Sequence, residues 1–133
     1  YFDHGVRIFV LDSLDELDKI IKETNGAKDL HLVVRLAVSS DYAQHKLNGK
    51  FGVSGPEAVL LLRQGRASAE ELGVSFHVGS QCMRPEAYRA AMEIASDLIR
   101  QAQVTVDIVD VGGGFPVAYP GLTPPPLETY IEA

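Results

Sequence analysis

Val104-Thr105-Val106-Asp107-Ile108-Val109-Asp110-Val111-Gly112-Gly113-Gly114 opens as a run of β-branched residues and closes on three glycines. β-branched side chains suit the pleated surface of a strand, and glycine lets a chain leave one abruptly. The stretch predicts a strand over 104–111 whose end is backbone without side chains. Three earlier runs share its character: Val6 to Leu11, Leu30 to Val38, and Val74 to Val78, the last closed by Gly79-Ser80. The continuity of the second, broken only by His31 and Arg35, suits a strand covered on both faces of a parallel sheet.

Helices are expected between these runs. Ser13 followed by Glu16 is a capping-box pattern, and Leu14, Leu17, Ile20 and Ile21 recur at helical spacing until Asn25-Gly26. A second helix starts near Pro56 and runs through Leu60, Leu61 and Leu62, with Gly65 and Arg66-Ala67-Ser68 leaving its far end open. Pro85 opens a third, carrying Tyr88, Met92, Ile94, Ala95, Leu98 and Ile99. Strands alternating with helices imply right-handed βαβ units and a parallel sheet, so the class is α/β. A complete (β/α)8 barrel takes about 250 residues, and 133 residues fit about half of one. Both ends read as cut: Tyr1-Phe2-Asp3-His4-Gly5 carries no Met and no signal layout, and an amphipathic pattern has only begun by Leu127 to Ala133. A partial barrel of about four parallel strands is therefore expected over a small open sheet.

Composition excludes several functions. A formal net charge of -6, a pI near 5.1 and the lack of any basic run argue against a broad nucleic-acid surface. Apolar stretches are too short to cross a membrane as a helix. Cys82 is the single cysteine, so no internal disulfide forms, which fits a reducing, cytoplasmic setting.

Ligands of parallel α/β sheets gather at the carboxyl ends of the strands. There Gly112, Gly113 and Gly114 can converge backbone N–H groups on an anion, and Ser80 can add a hydroxyl. Taken alone, the triplet reads first as a flexible turn, since glycine is the default turn residue, His77 also reads as a core histidine, and Arg35 as the partner of a carboxylate across the sheet. Their placement at one edge of the expected sheet favours a binding site.

Two strings then become specific. Gly73-Val74-Ser75-Phe76-His77-Val78-Gly79-Ser80-Gln81 and Val109-Asp110-Val111-Gly112-Gly113-Gly114-Phe115-Pro116 resemble the signature motifs of the ornithine decarboxylase family, among the alanine-racemase-like pyridoxal-phosphate barrels. Val10-Leu11-Asp12-Ser13, Val34-Arg35-Leu36 and Lys50-Phe51-Gly52 follow the family's order, whereas the connection from Ala67 to Val74 is shorter than its pattern and implies a late start for the third strand. The resemblance implies that His77 stacks on the ring of pyridoxal 5'-phosphate, that Ser80 and Gly112 to Gly114 bind its phosphate, and that Arg35 lies near as a positive charge. It implies a homodimer in which Asp12 and Lys50 make salt bridges to the second subunit; as residues alone, both also read as solvated charges. It further implies decarboxylation of a small basic amino acid, with Phe115-Pro116 favouring ornithine, converted to putrescine and carbon dioxide.

The family's cofactor-bearing lysine stands in a strand near the start of the barrel. Lys19, Lys22, Lys28, Lys46 and Lys50 have no such context, and Cys82 does not match the catalytic cysteine donated across the dimer. Residues 1–133 are thus expected to be the central piece of the pyridoxal-phosphate-binding barrel domain, without the lysine-bearing strands and the C-terminal β domain. Such a piece is expected to be inactive by itself and to self-associate through its open sheet. The alternative is a catalytically silent relative that binds a partner, as antizyme inhibitors do.

Overall fold

The structure, a computed structural model, describes residues 1–38, 43–45 and 51–133. β1 (Ile8–Leu11), β2 (His31–Arg35), β4 (Glu71–Ser75) and β6 (Ile108–Asp110) form one parallel sheet in the order β1-β2-β4-β6. Helices α1 (Leu14–Glu23), α2 (Gly55–Ser68) and α3 (Glu86–Ala102) make the three crossovers, and a short α4 (Leu127–Ile131) follows. The α/β class and the run of four parallel strands alternating with helices agree with a partial barrel.

Strand alternation decides what the sheet buries. Leu32 and Val34 of β2 with Leu36 just past it, and Leu72 and Val74 of β4 with Phe76 just past it, are fully buried in a core with Leu17, Leu61, Leu62, Ala91, Ala95 and Leu98 of the helices. The other face carries Val33, Arg35, Gly73 and Ser75, and at its β1 edge Ile8 and Val10 stand 58% and 60% exposed. Gly73 sits between strands whose side chains crowd that face: a Cβ there would lie 3.1 Å from both Ile108 and Val33.

The helices end where local chemistry ends them. Ser13 Oγ accepts the Glu16 N–H at 3.2 Å, which starts α1, and Asn25 and Gly26 close it in left-handed conformations. Pro56 lies in the first turn of α2, as expected. Gly65 does not end that helix; a Cβ there would lie 3.2 Å from Leu72, so the glycine lets α2 sit close on β4. Gln103, also left-handed, closes α3, and Arg63 donates to the Gln101 and Ala102 carbonyls.

The third parallel strand differs from the sequence expectation. It spans 71–75, not 74–78, and so starts early, because His31 to Arg35 pair with Glu71 to Ser75 in continuous register. The first, second and last strands are shorter than their apolar runs. Two short strands, β3 (Ala43–His45) and β5 (Ser80–Cys82), form an antiparallel pair that the sequence did not announce. Among the described residues, no helix is long and apolar enough to cross a membrane.

Candidate functional site

Arg35, Ser75 and Asp110 stand in register across β2, β4 and β6, a row of cation, hydroxyl and carboxylate at the carboxyl end of the sheet. Paired positions of a parallel sheet project to the same side, here the face away from the helices. Ser75 Oγ is buried without a hydrogen-bond partner. Arg35 makes no ion pair among the described residues, so the alternative reading of it as the partner of a carboxylate across the sheet finds no such partner there.

Two residues past Ser75, the chain turns on His77. Its Nδ1 accepts the Gly79 N–H at 2.9 Å. Burial, aided by the positive charge of Arg35 and opposed by Asp110, holds the imidazole below its ordinary value of 6.5. His77 is therefore neutral near pH 7, and with Nδ1 an acceptor its proton rests on Nε2.

The glycine triplet lies directly on this turn. A Cβ on Gly112 would sit 2.0 Å from the Phe76 carbonyl oxygen, and one on Gly114 would sit 2.1 Å from that of Gly79; both glycines have positive φ. These two are required by backbone packing before any ligand is considered. Gly113 is different: its Cβ position lies 3.4 Å from His77 Nε2, an ordinary contact. The loop is also tied by hydrogen bonds on both sides. Gly112 N–H donates to Asp110 Oδ1 at 2.8 Å, Tyr88 Oη donates to the Gly113 carbonyl at 3.1 Å, and Cys82 N–H donates to that of Gly114 at 2.9 Å. The N–H groups of Gly113 and Gly114 have no acceptor among the described residues. Ser80, half-buried, follows the Gly79 carbonyl on which Gly114 packs, and its hydroxyl is uncommitted among the same residues.

A neutral flat imidazole beside two free amide donors and a hydroxyl suits a planar ring that carries an anionic group. The residues present thus fit a phosphorylated aromatic cofactor. His77 lies close to the triplet, where an added Cβ on Gly112, Gly113 or Gly114 would stand 3.2 to 3.4 Å from it; Ser80 follows Gly79, and Arg35 is near enough to act on His77 electrostatically.

Asp12 is elsewhere, on the rim of an open cleft of about 360 Å³ that Val10, Glu16, Arg35 and Phe51 also line. Its Oδ2 accepts the Gly52 N–H at 2.8 Å, so it is not merely a solvated charge. Lys50 lies outside the described residues.

Sequence reasoning missed three residues that shape the site. Asp110, two positions before Gly112, is an Asx-turn pattern that could have been read. Gln81 bonds both the N–H and the carbonyl of Val117, at 2.9 and 3.0 Å, and fixes the chain beyond the glycines. Tyr88 was read only as part of an apolar helical face, yet its hydroxyl reaches the triplet. It stacks on Phe115 at 4.8 Å, and Tyr130 meets both rings edge-on. No cluster of metal-ligating side chains occurs among the described residues.

Comparison with known proteins bears on this arrangement. The family described as pyridoxal-dependent decarboxylase, pyridoxal binding domain, matches residues 2–133. The chain is 39% identical over 119 residues to a lysine/ornithine decarboxylase of Selenomonas ruminantium, covering 86% of the chain and 30% of that protein. It is 40% identical over 118 residues to an ornithine decarboxylase of Panagrellus redivivus, covering 84% and 26%. Antizyme inhibitor 2 of Mus musculus is 35% identical over 117 residues, covering 85% and 25%. A structure of SrLDC in complex with PLP and cadaverine superposes with a TM-score of 0.69 at 35% identity, covering 86% of the chain and 28% of that protein. The chain thus spans about a quarter to a third of the length of the relatives it matches.

Proposed function

The chain belongs to the pyridoxal-dependent decarboxylase family, in the part that binds pyridoxal, and from that premise we propose that the protein carrying it decarboxylates a small basic amino acid, ornithine to putrescine and carbon dioxide, using pyridoxal 5'-phosphate. The observation that supports this most directly is the placing of the His77 ring beside Gly113 and Gly114, where an added Cβ would meet it at 3.4 and 3.2 Å, with their N–H groups uncommitted among the described residues. Ornithine is favoured by Phe115-Pro116 after the glycines and by the relatives that carry its name.

In this reading the imidazole of His77 supports one face of the cofactor ring. Its neutrality leaves the ring in contact with a flat, uncharged surface. Gly113 N–H, Gly114 N–H and the Ser80 hydroxyl hold the phosphate. Arg35, with no ion pair among the described residues, keeps a positive charge beside the ring, and Asp110 braces the loop through Gly112 N–H. When bound, pyridoxal phosphate supplies a ring that takes up the electron pair left as the substrate's α-carboxylate departs. Lys19 and Lys22 lie on α1 and Lys28 in the loop after it, so none of these three stands in a parallel strand, and Lys46 and Lys50 lie outside the described residues; on the family's pattern of a lysine near the start of the barrel we assign covalent attachment of the cofactor to a lysine outside residues 1–133. Asp12, whose Oδ1 is unused among the described residues, and Lys50 are assigned to the interface of a cytoplasmic homodimer.

A second reading, a regulator without catalysis, is favoured by the likeness to antizyme inhibitor 2. The two separate in the full-length protein by cofactor absorbance and by carbon dioxide release from L-ornithine, L-lysine and L-arginine. The proposal expects saturable cofactor binding, fastest release from ornithine, and cofactor binding weakened at least tenfold in His77→Ala. Lack of both cofactor binding and carbon dioxide release would overturn it in favour of the regulator.

A further inference from the structure

The Tyr88 hydroxyl comes from the first turn of α3 and ends on the Gly113 carbonyl at 3.1 Å. A trans peptide is planar, with its N–H directed opposite to its C=O, and there are no cis peptide bonds among the described residues. The Gly113 carbonyl and the Gly114 N–H belong to one such unit. A donor that holds the carbonyl toward α3 therefore turns the Gly114 N–H away from α3. Without a tether, a peptide between two glycines rotates at little steric cost. In the flipped orientation it would present a carbonyl oxygen to an anion.

We propose that Tyr88 is a positioning residue: its hydroxyl fixes the Gly113–Gly114 peptide so that the Gly114 N–H points at the phosphate of the bound cofactor. This rests on the reading of the glycine loop as a phosphate cradle. Tyr88 is itself well held, being 5% exposed, stacked on Phe115 with 12° between the rings, and met edge-on by Tyr130. The adjoining peptide has its own donor, Cys82 N–H to the Gly114 carbonyl, whereas Tyr130 Oη donates at 2.9 Å to the Cys82 carbonyl, which belongs to the next peptide and not to the loop. Burial raises the Tyr88 hydroxyl well above its ordinary value of 10, so it remains a donor throughout the neutral range. A buried tyrosine hydroxyl needs some partner for stability alone. That role would lower stability when the hydroxyl is removed and would leave anion binding untouched.

The test follows the amide resonances of Gly113 and Gly114 in the full-length protein, labelled at glycine and freed of cofactor, during titration with inorganic phosphate, pyridoxine 5'-phosphate and pyridoxine, which lacks the phosphate. The wild type should show phosphate-dependent shifts at Gly113 and Gly114. Tyr88→Phe, which keeps the ring stack, should bind both phosphate probes about fivefold more weakly, the worth of one oriented hydrogen bond, with pyridoxine unchanged. Tyr130→Phe removes a hydroxyl from the same cluster and should retain wild-type phosphate affinity; comparable thermal midpoints check that both variants fold. Wild-type phosphate affinity in Tyr88→Phe, or equal weakening in both variants, overturns the positioning role. No shift at Gly113 and Gly114 in the wild type overturns the phosphate-cradle reading beneath it.

Discussion

Two of the three glycines are fixed by atoms of this chain, and the third is not, which makes them separable by mutation. Gly112→Ala places a methyl 2.0 Å from the Phe76 carbonyl oxygen at φ +72°, so it should destabilise the fold by more than about 2 kcal/mol, read from a denaturation curve. Gly113→Ala meets only an ordinary contact with His77 and should fold nearly as well as wild type, while weakening phosphate binding. Ser75→Ala removes a buried hydroxyl that has no partner, and its thermal midpoint should equal or exceed that of wild type. The imidazole gives a pH test. His77 titrates below its ordinary 6.5 in the folded chain, so the unfolded chain takes up the proton first. The stability this residue contributes is then complete above about pH 6.5 and lost as pH falls from there through the folded value. Urea midpoints between pH 7.5 and 5 should fall more steeply for wild type than for His77→Gln. The nearness of His77 to the triplet was legible because both close strands at the same end of one parallel sheet. The division among the glycines was not, since it depends on which carbonyl each one meets.

Among the elements, the β4–β6 junction is held at its base as well as its tip. Asp107 accepts the Leu72 N–H at 2.9 Å and pairs with Arg66 of α2 at 2.7 Å, joining two strands and a helix through one carboxylate. The Leu72 N–H first, and Arg66 second, hold that carboxyl below its usual range. Its contribution is present above the ordinary carboxylate value of 3.8 and disappears as pH falls through the folded one. Asp107→Ala should lower the thermal midpoint at pH 7 and reduce the loss of stability on acidification, both measurable by circular dichroism. The sequence announced α1 and α3 well, because a capping serine, a leading proline and helical spacing are local signals. It misplaced β4, because that strand's limits come from pairing with β2, which lies far away in sequence and sets the register from Glu71. It gave no hint of β3 and β5, short polar segments that acquire strand geometry only by meeting each other.

For the molecule as a whole, one side of the sheet is covered by helices and the other exposes Ile8 and Val10 at its β1 edge, while at the β6 edge Val109 and Val111 stand exposed on the helix side. Uncovered apolar surface and open strand edges favour association. The isolated 133-residue chain should therefore show a hydrodynamic radius that grows with concentration, and Val10→Lys should reduce that growth in light scattering; a strictly monomeric wild type at high concentration would oppose this. The lodging of Gly112 and Gly114 against the carbonyls of Phe76 and Gly79 also bears on lineage. A descendant that abandoned chemistry would still be compelled to keep both glycines in order to fold. Their persistence is a record of architecture, whereas drift at Gly113 and Ser80, which the fold leaves free, would be the earlier mark of a vocation lost.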